Sequence, residues 1–307
     1  MSQTDLHTHS TASDGSLSPA ALVAAAARCG IRQLALTDHD TTAGLAEAGA
    51  AAAELGIELI PGVELTTQAG DRQVDILGYL FDPEHPALKA ELAQMQAARI
   101  DRARAMVGRL QALGAKIDYS DVEAQAGEGV ITRPHVAHAL VAAGFVHSVG
   151  QAFARYIAEG RPAYVDRYRL TTEAACALIR SAGGLPSVAH PVPARNPHSD
   201  PLVLRHFLPR LAEAGLGGLE CHYWGYKRQT RRWLEALAWK FGLVPTGGSD
   251  YHGAWRPNEL GGVELPRGTV ERMREAAAEG SAGRPAAESG SVSKTAAAPS
   301  APSGTPS

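Results

Sequence analysis

The strongest constraint on the fold is a phrase that recurs along the chain: glycine, a short apolar run, then a histidine or carboxylate. Gly30 leads into Ile31–Thr37 and then Asp38-His39-Asp40, and Gly56 leads into Ile57–Val63 and then Glu64. Gly183-Gly184 introduces Leu185–Ala189 and His190; Gly217-Gly218 introduces Leu219-Glu220-Cys221 and His222. Gly242 introduces Leu243–Thr246, followed by Asp250 and His252. Apolar runs this short, bounded by turn residues and separated by helical patterns, read as buried strands of a parallel sheet with helices on its faces. In α/β barrels the loops at the carboxyl ends of the strands build the active site. Here the ligand-type residues collect at those ends, so the expected fold is an α/β barrel with a polar mouth.

The start of the chain completes the pattern. In Asp5-Leu6-His7-Thr8-His9 the two histidines project to one side of an extended segment, because strand side chains alternate. Asp14, on a turn with Gly15, can fold back towards them. Ser18-Pro19 is a capped helix start running to Gly30, and a second helix is expected from Thr41 or Thr42 to Gly56. Residues 86–113 carry a long amphipathic pattern, and shorter helices are expected near 134–143 and 148–160. Residues 1–81 and 166–279 are thus assigned to the barrel, and 82–165 to a helical insertion over its mouth. From 280 to 307 the chain turns to Ala, Gly, Ser and Pro, a composition expected to stay disordered.

The 307 residues carry a net charge of -3, which gives no bulk attraction to nucleic acid or anionic membrane. No signal peptide and no membrane span is visible. Cys29, Cys176 and Cys221 are widely spaced in apolar contexts and read as reduced core residues of a cytoplasmic protein.

Taken in order, the candidate metal ligands are His7, His9, Asp14, His39, Glu64, Asp75, His190, Asp250 and His252. All are nitrogen or oxygen donors, pointing to manganese, zinc, iron or magnesium, two or three ions in all, with Glu64 the natural bridge. Such a centre makes hydroxide from a bridging water and neutralises phosphoryl oxygens, so no protein nucleophile is needed. Asp38 and Asp40 flank His39 and are placed to orient it.

His7-Thr8-His9, Thr37-Asp38-His39-Asp40-Thr41, Pro61-Gly62-Val63-Glu64 and Gly247-Gly248-Ser249-Asp250-Tyr251-His252-Gly253 resemble the motifs of the PHP (polymerase and histidinol phosphatase) superfamily. The likeness runs from about residue 4 to 266 and is greatest to the branch of nucleoside 3′,5′-bisphosphate phosphatases and a related 5′-to-3′ exoribonuclease. It implies a distorted seven-stranded (β/α) barrel and a two- or three-metal centre, often of manganese. Family members frequently carry histidine where this chain has Asp75, a shorter and harder ligand. By the same resemblance Thr132-Arg133-Pro134-His135 contacts phosphate, with Arg99 and Arg161 at matching places in the insertion. His135 and His222 are substrate-facing candidates, and Tyr223, Trp224 and Tyr226 either stack a base or pack. His85, His138, His147, His198 and His206 are assigned to the surface.

The expected activity is hydrolysis of a phosphate monoester of a small nucleotide, above all the 3′-phosphate of a nucleoside 3′,5′-bisphosphate. Trimming of short single-stranded RNA is a second use of the same site. Stable binding of duplex nucleic acid is not expected at this charge. The alternatives are a histidinol-phosphate-type phosphatase, a non-catalytic binding module on the same scaffold, and metal-dependent C–N hydrolysis.

Overall fold

The structure, a computed structural model, describes residues 2–70, 72–192 and 201–282. Its strands are β1 (Thr4–Asp5), β2 (Gln33–Leu36), β3 (Glu58–Ala69), β4 (Arg72–Tyr79), β5 (Leu170–Thr171), β6 (Leu185–Val188), β7 (Gly218–Tyr223) and β8 (Val244–Gly248). The helices are α1 (Pro19–Arg28), α2 (Leu45–Leu55), α3 (Pro86–Ala112), α4 (Tyr119–Ala126), α5 (Arg133–Ala142), α6 (Val149–Ala152), α7 (Thr172–Ser181), α8 (Pro201–Glu213), α9 (Arg228–Lys240) and α10 (Thr269–Ala282). A π-helical turn, Phe153–Ile157, follows α6, and a 3-10 turn, Gly253–Trp255, follows β8.

Local chemistry explains most boundaries. The Ser18 side chain accepts from the Ala21 amide, and Pro19 opens α1. At α2 the expected start moves three or four residues on, because the Thr41 hydroxyl accepts from the Ala43 amide and holds a turn instead. Thr132 caps α5, and the ring of His135 accepts from the Thr132 amide at 3.2 Å, completing a capping box.

The sheet runs β1-β2-β3-β4-β6-β7-β8, with β5 paired outside that path to β3. An isolated parallel bridge, Thr8 to Tyr251, brings the last strand back to the first, with the His9 amide donating to the Tyr251 carbonyl at 2.9 Å. The buried Asp5 carboxylate holds the seam, accepting from the amides of Ser249 and Gly261, each at 2.9 Å. The result is a nearly closed seven-stranded barrel, as the motifs implied.

One departure matters for the site. The sheet is not parallel throughout: β4 runs antiparallel to both β3 and β6. β3 and β4 are joined by a tight turn in which Gly70 has φ 61°, so no helix intervenes. Glu64 and Asp75 therefore sit within long strands, not at strand ends.

Between β4 and β5 lie α3 to α6, with an apolar cluster of their own built on Met106, Leu110, Ile117, Val136, Leu140 and Ile157. α3 serves two cores. Leu88, Leu92 and Met95 in its first half pack against the barrel strands, whereas Ala103, Met106, Val107 and Leu110 pack among the inserted helices. The stretch between those halves carries Arg99 and Arg102, both buried. The disordered tail expected from 280 begins inside α10, and residues 283–307 lie outside the described residues, as do His198 and the side chain of His206. No described helix is long and apolar enough to cross a membrane.

Replacing Asp5 by Ala strips the acceptor from two buried amides at the barrel seam. Urea unfolding of Asp5→Ala is expected to show a loss on the order of 3 kcal/mol, since each unsatisfied buried group costs about 1–3 kcal/mol.

Candidate metal centre

β1 ends at the seam, and the extended run beyond it places His7 and His9 side by side, their rings 5.2 Å apart. β3 passes beneath them and brings Glu64 into contact. One Glu64 carboxylate oxygen is 3.3 Å from His7 Nε2, 3.3 Å from His9 Nε2 and 3.2 Å from His39 Nδ1; the other is 2.9 Å from His190 Nε2. Asp250 Oδ1 lies 3.4 Å from His7 Nε2 and 3.2 Å from His9 Nε2. Asp14 Oδ1 lies 3.4 Å from His252 Nε2 and 3.9 Å from both His9 Nδ1 and His39 Nε2. Asp75 is at the edge, 3.9 Å from His190 Nε2, with both its oxygens taking the Gln73 amide at 3.2 Å. Every expected ligand is thus brought to one place, Asp75 least closely.

The residues fit divalent ions. His9, Asp14, His39 and His252 offer ligand atoms within 4.8 Å of one another, as do His7, Glu64 and His190, and His7, His9 and Asp250. Both ring nitrogens of His9, Nδ1 of His39 and Nε2 of His252 are buried without a hydrogen-bond partner. Buried polar atoms are normally satisfied, so orphans converging on carboxylates mark cation positions. His252 directs Nδ1 at the Asp250 carbonyl, 2.9 Å away, which leaves Nε2 for the centre.

The protons respond to this crowding. Burial alone would raise Glu64, but His39 and His7 hold its carboxyl well below the usual range; Asp14 and Asp250 are held low in the same way. Burial opposes protonation of His9 and His190, yet the facing carboxylates raise each to about 9. Burial dominates at His39, lowered to about 4. Burial and the neighbouring Glu64 charge lift Asp75 to about 6. Backbone geometry is unusual here too. Asp40, His190 and Asp250 have φ of 52°, 24° and 53°, a region that residues with side chains rarely occupy outside constrained sites.

The centre opens into a cavity of about 290 Å³ walled by arginines, including Arg99, Arg102, Arg133, Arg167 and Arg256. These fall into two kinds. Arg99 is tied to Asp40 Oδ2 at 2.6 Å and Arg167 at 2.9 Å, while Arg256 pairs with Asp250 Oδ2. Arg102 and Arg133 form no ion pair among the described residues. Burial, with Arg99 and Arg133 alongside, lowers Arg102 to about 8, and burial lowers Arg133 as well. An uncompensated buried guanidinium is costly unless an anion joins it.

Several expected residues land elsewhere. Arg161 lies in an exposed turn after the π-helix and does not line this cavity. His135 lines a smaller side cavity. His222 sits outside the barrel, 3.1 Å from Glu235 in a groove against α9, while Glu220 takes the inward place. The cause is a bulge between Glu220 and His222, which interrupts the regular alternation of side chains along β7. Glu220 holds His7 Nδ1 at 2.9 Å and accepts from the His190 amide at 2.6 Å. Asp38 and Asp40 serve other partners than His39. Asp38 accepts from Ser10 and Ser13, fixing the loop that carries Asp14, and Asp40 gathers the arginines. Of the aromatics, Tyr223 lines the cavity and donates to Asp250 Oδ2 at 2.8 Å, whereas Tyr226 is spent on the Val192 backbone. The sequence gives no role to Arg102 by motif, although its spacing of three from Arg99 puts both on one helix face.

Asp40→Asn is expected to cost about 3–5 kcal/mol, because it leaves buried arginines without a counter-ion; its melting point should fall well below that of a surface Asp→Asn control. A second outcome concerns pH. His9 and His190 have folded-state values above the ordinary 6.5, so their ion pairs stabilise metal-free protein fully below that value and fade as pH rises through about 9. Metal needs neutral imidazole. Thermal scans should therefore show chelated protein losing stability as pH rises from 6.5 to about 9, and the gain from added divalent ion growing over that window.

Known proteins share this architecture. The PHP domain model matches residues 5–145. A 5′-3′ exoribonuclease of Haemophilus influenzae is 40% identical over 81% of this chain and 89% of its own length. A 3′,5′-nucleoside bisphosphate phosphatase of Chromobacterium violaceum is 37% identical over 82% of this chain and 88% of its own. A Bifidobacterium adolescentis protein described as a metal-dependent phosphoesterase superposes with a TM-score of 0.81 at 35% identity, covering 89% of this chain and 96% of that one. With a matching barrel, a clustered ligand set and relatives aligned over most of their length, the chain belongs to the PHP-domain phosphoesterases and is a hydrolase of phosphoric esters.

Proposed function

We propose that this enzyme removes the 3′-phosphate of nucleoside 3′,5′-bisphosphates, using two or three divalent ions, manganese foremost. The ions would be held by His7, His9, Asp14, His39, Glu64, Asp75, His190, Asp250 and His252. Bound there, they supply an activated water and charge neutralisation at the phosphoryl oxygens.

The observation that carries this reading is the pair Arg102 and Arg133, set in the wall of the cavity that the ligand cluster floors, with no ion pair among the described residues. A substrate with one phosphate at the cluster and a second phosphate a nucleoside away satisfies both ends. Arginine suits that second phosphate because its planar fork makes paired hydrogen bonds to the oxygens. A histidinol-type phosphate ester has one phosphate and would leave the two arginines uncompensated. Glu220 engages Nδ1 of His7, keeping Nε2 directed at the centre, and Tyr223 with Arg256 fixes the Asp250 carboxylate. In the hydrolysis a water oxygen bonds to phosphorus, the bond from phosphorus to the 3′-oxygen breaks, and that oxygen leaves with a proton as the 5′-nucleotide forms.

The same bond is cut when a 5′-phosphorylated RNA loses its first nucleotide, so short single-stranded RNA is the second substrate class. The names of the relatives, a bisphosphate phosphatase and a 5′-3′ exoribonuclease, support both uses.

Manganese-loaded protein is expected to convert adenosine 3′,5′-bisphosphate to 5′-AMP and phosphate, and Asp250→Asn to abolish it. Cleavage of histidinol phosphate with the bisphosphate untouched would overturn the nucleotide reading. Arg102→Gln should raise KM for the bisphosphate by roughly tenfold or more while 3′-AMP, which lacks the 5′-phosphate, is little changed, since a charge-assisted bond is worth about 1.5–3 kcal/mol.

A further inference from the structure

A second, smaller cavity of about 140 Å³ touches the ligand cluster from another side. Asp14 and Pro134 line both cavities, so the two spaces adjoin at a ligand-type carboxylate. The walls of the smaller one are the loop carrying Thr11 to Ser16, the inserted helices with Gln125, His135 and His138, and Trp255. No role assigned so far uses this space.

Trp255 is 55% exposed, which is unusual for so large an apolar side chain. Its ring lies 4.5 Å from that of His138, tilted by 48°. The turn that presents it is clamped rather than loose. The Ala254 amide donates to Ser16 Oγ at 2.8 Å, Gly253 has φ 69°, and a Cβ there would collide with Ser16. The next residue, Arg256, pairs with Asp250. An exposed aromatic face is therefore held at a set position one residue from a group that touches the centre.

We propose that this side cavity receives the second nucleotide of a 5′-phosphorylated RNA, its base stacked on Trp255. The inference rests on the nucleotide reading above and deepens it. When the first nucleotide places its 5′-phosphate at Arg102 and Arg133 and its 3′-phosphorus at the cluster, the chain beyond that phosphorus must leave by another opening. The side cavity is an opening that shares a ligand-type carboxylate with the first. Stacking on an aromatic face accepts any base, as an exonuclease requires, and Gln125 is exposed at the rim for polar contacts. A bisphosphate has nothing beyond its 3′-phosphate and does not reach Trp255.

The test compares kcat/KM for adenosine 3′,5′-bisphosphate and for a 5′-phosphorylated RNA pentamer in manganese-loaded protein. Trp255→Ala is expected to lower the RNA-to-bisphosphate ratio by about tenfold, the scale of one lost base stack, and Trp255→Phe to restore most of it. An unchanged ratio, or parallel loss on both substrates, would overturn the subsite. Unsubstituted protein that cleaves the bisphosphate but not RNA would also overturn it and leave the nucleotide reading standing. Failure on both substrates would instead sink that reading itself.

Discussion

One carboxylate organises the molecule. Glu64 is buried in the barrel wall and faces four imidazoles, from His7, His9, His39 and His190, that arrive on three separate stretches of the chain. A buried carboxylate in that position is tolerable only with positive charge around it, whether protons or metal ions. When no ion is bound, His9 and His190 hold protons against Glu64, because the facing carboxylates raise both to about 9. A divalent ion bound there would take the place of those protons, so the cluster is a stored preference for cations and the barrel is the frame that enforces it.

The frame departs from a regular barrel where the site needs it. Because β4 turns back antiparallel, β3 can run on past the mouth, carrying Glu64 and Thr66 under the inserted helices. Thr66 then receives Arg99, and its amide donates to Asp40 at 2.9 Å. Asp40 in turn fixes Arg99 and Arg167, so the insertion is tied to the barrel by charge as well as by the apolar residues of α3.

Much of this is legible in the sequence because metal ligation demands particular residues at strand ends. His39, His190, Asp250 and His252 follow short apolar runs, His7 and His9 alternate on one extended segment, and all reach the centre. What stays hidden depends on departures from regular geometry. A bulge exchanges Glu220 for His222, and a hairpin in place of a crossover puts Glu64 and Asp75 within strands. Arg102 and Arg167 are hidden for another reason: an arginine in an amphipathic helix or a loop looks the same whether it is solvated or buried. Arg161, chosen on resemblance, is the converse case, an arginine that the fold leaves outside.

The division among the cavity arginines follows from counting charges at one wall. Asp40 is shared by Arg99 and Arg167, and Asp250 takes Arg256, which leaves Arg102 and Arg133 with no acidic partner among the described residues. If every arginine were paired, the cavity would be a neutral crevice; if none were, the inserted helices would repel the barrel mouth. Pairing some and leaving others gives a wall that holds together without substrate and still attracts an anion. The unpaired members both belong to the insertion, one on α3 and one at the start of α5. The barrel thus supplies the groups suited to metal, and the inserted helices supply the unpaired positive charge in the cavity wall beside them.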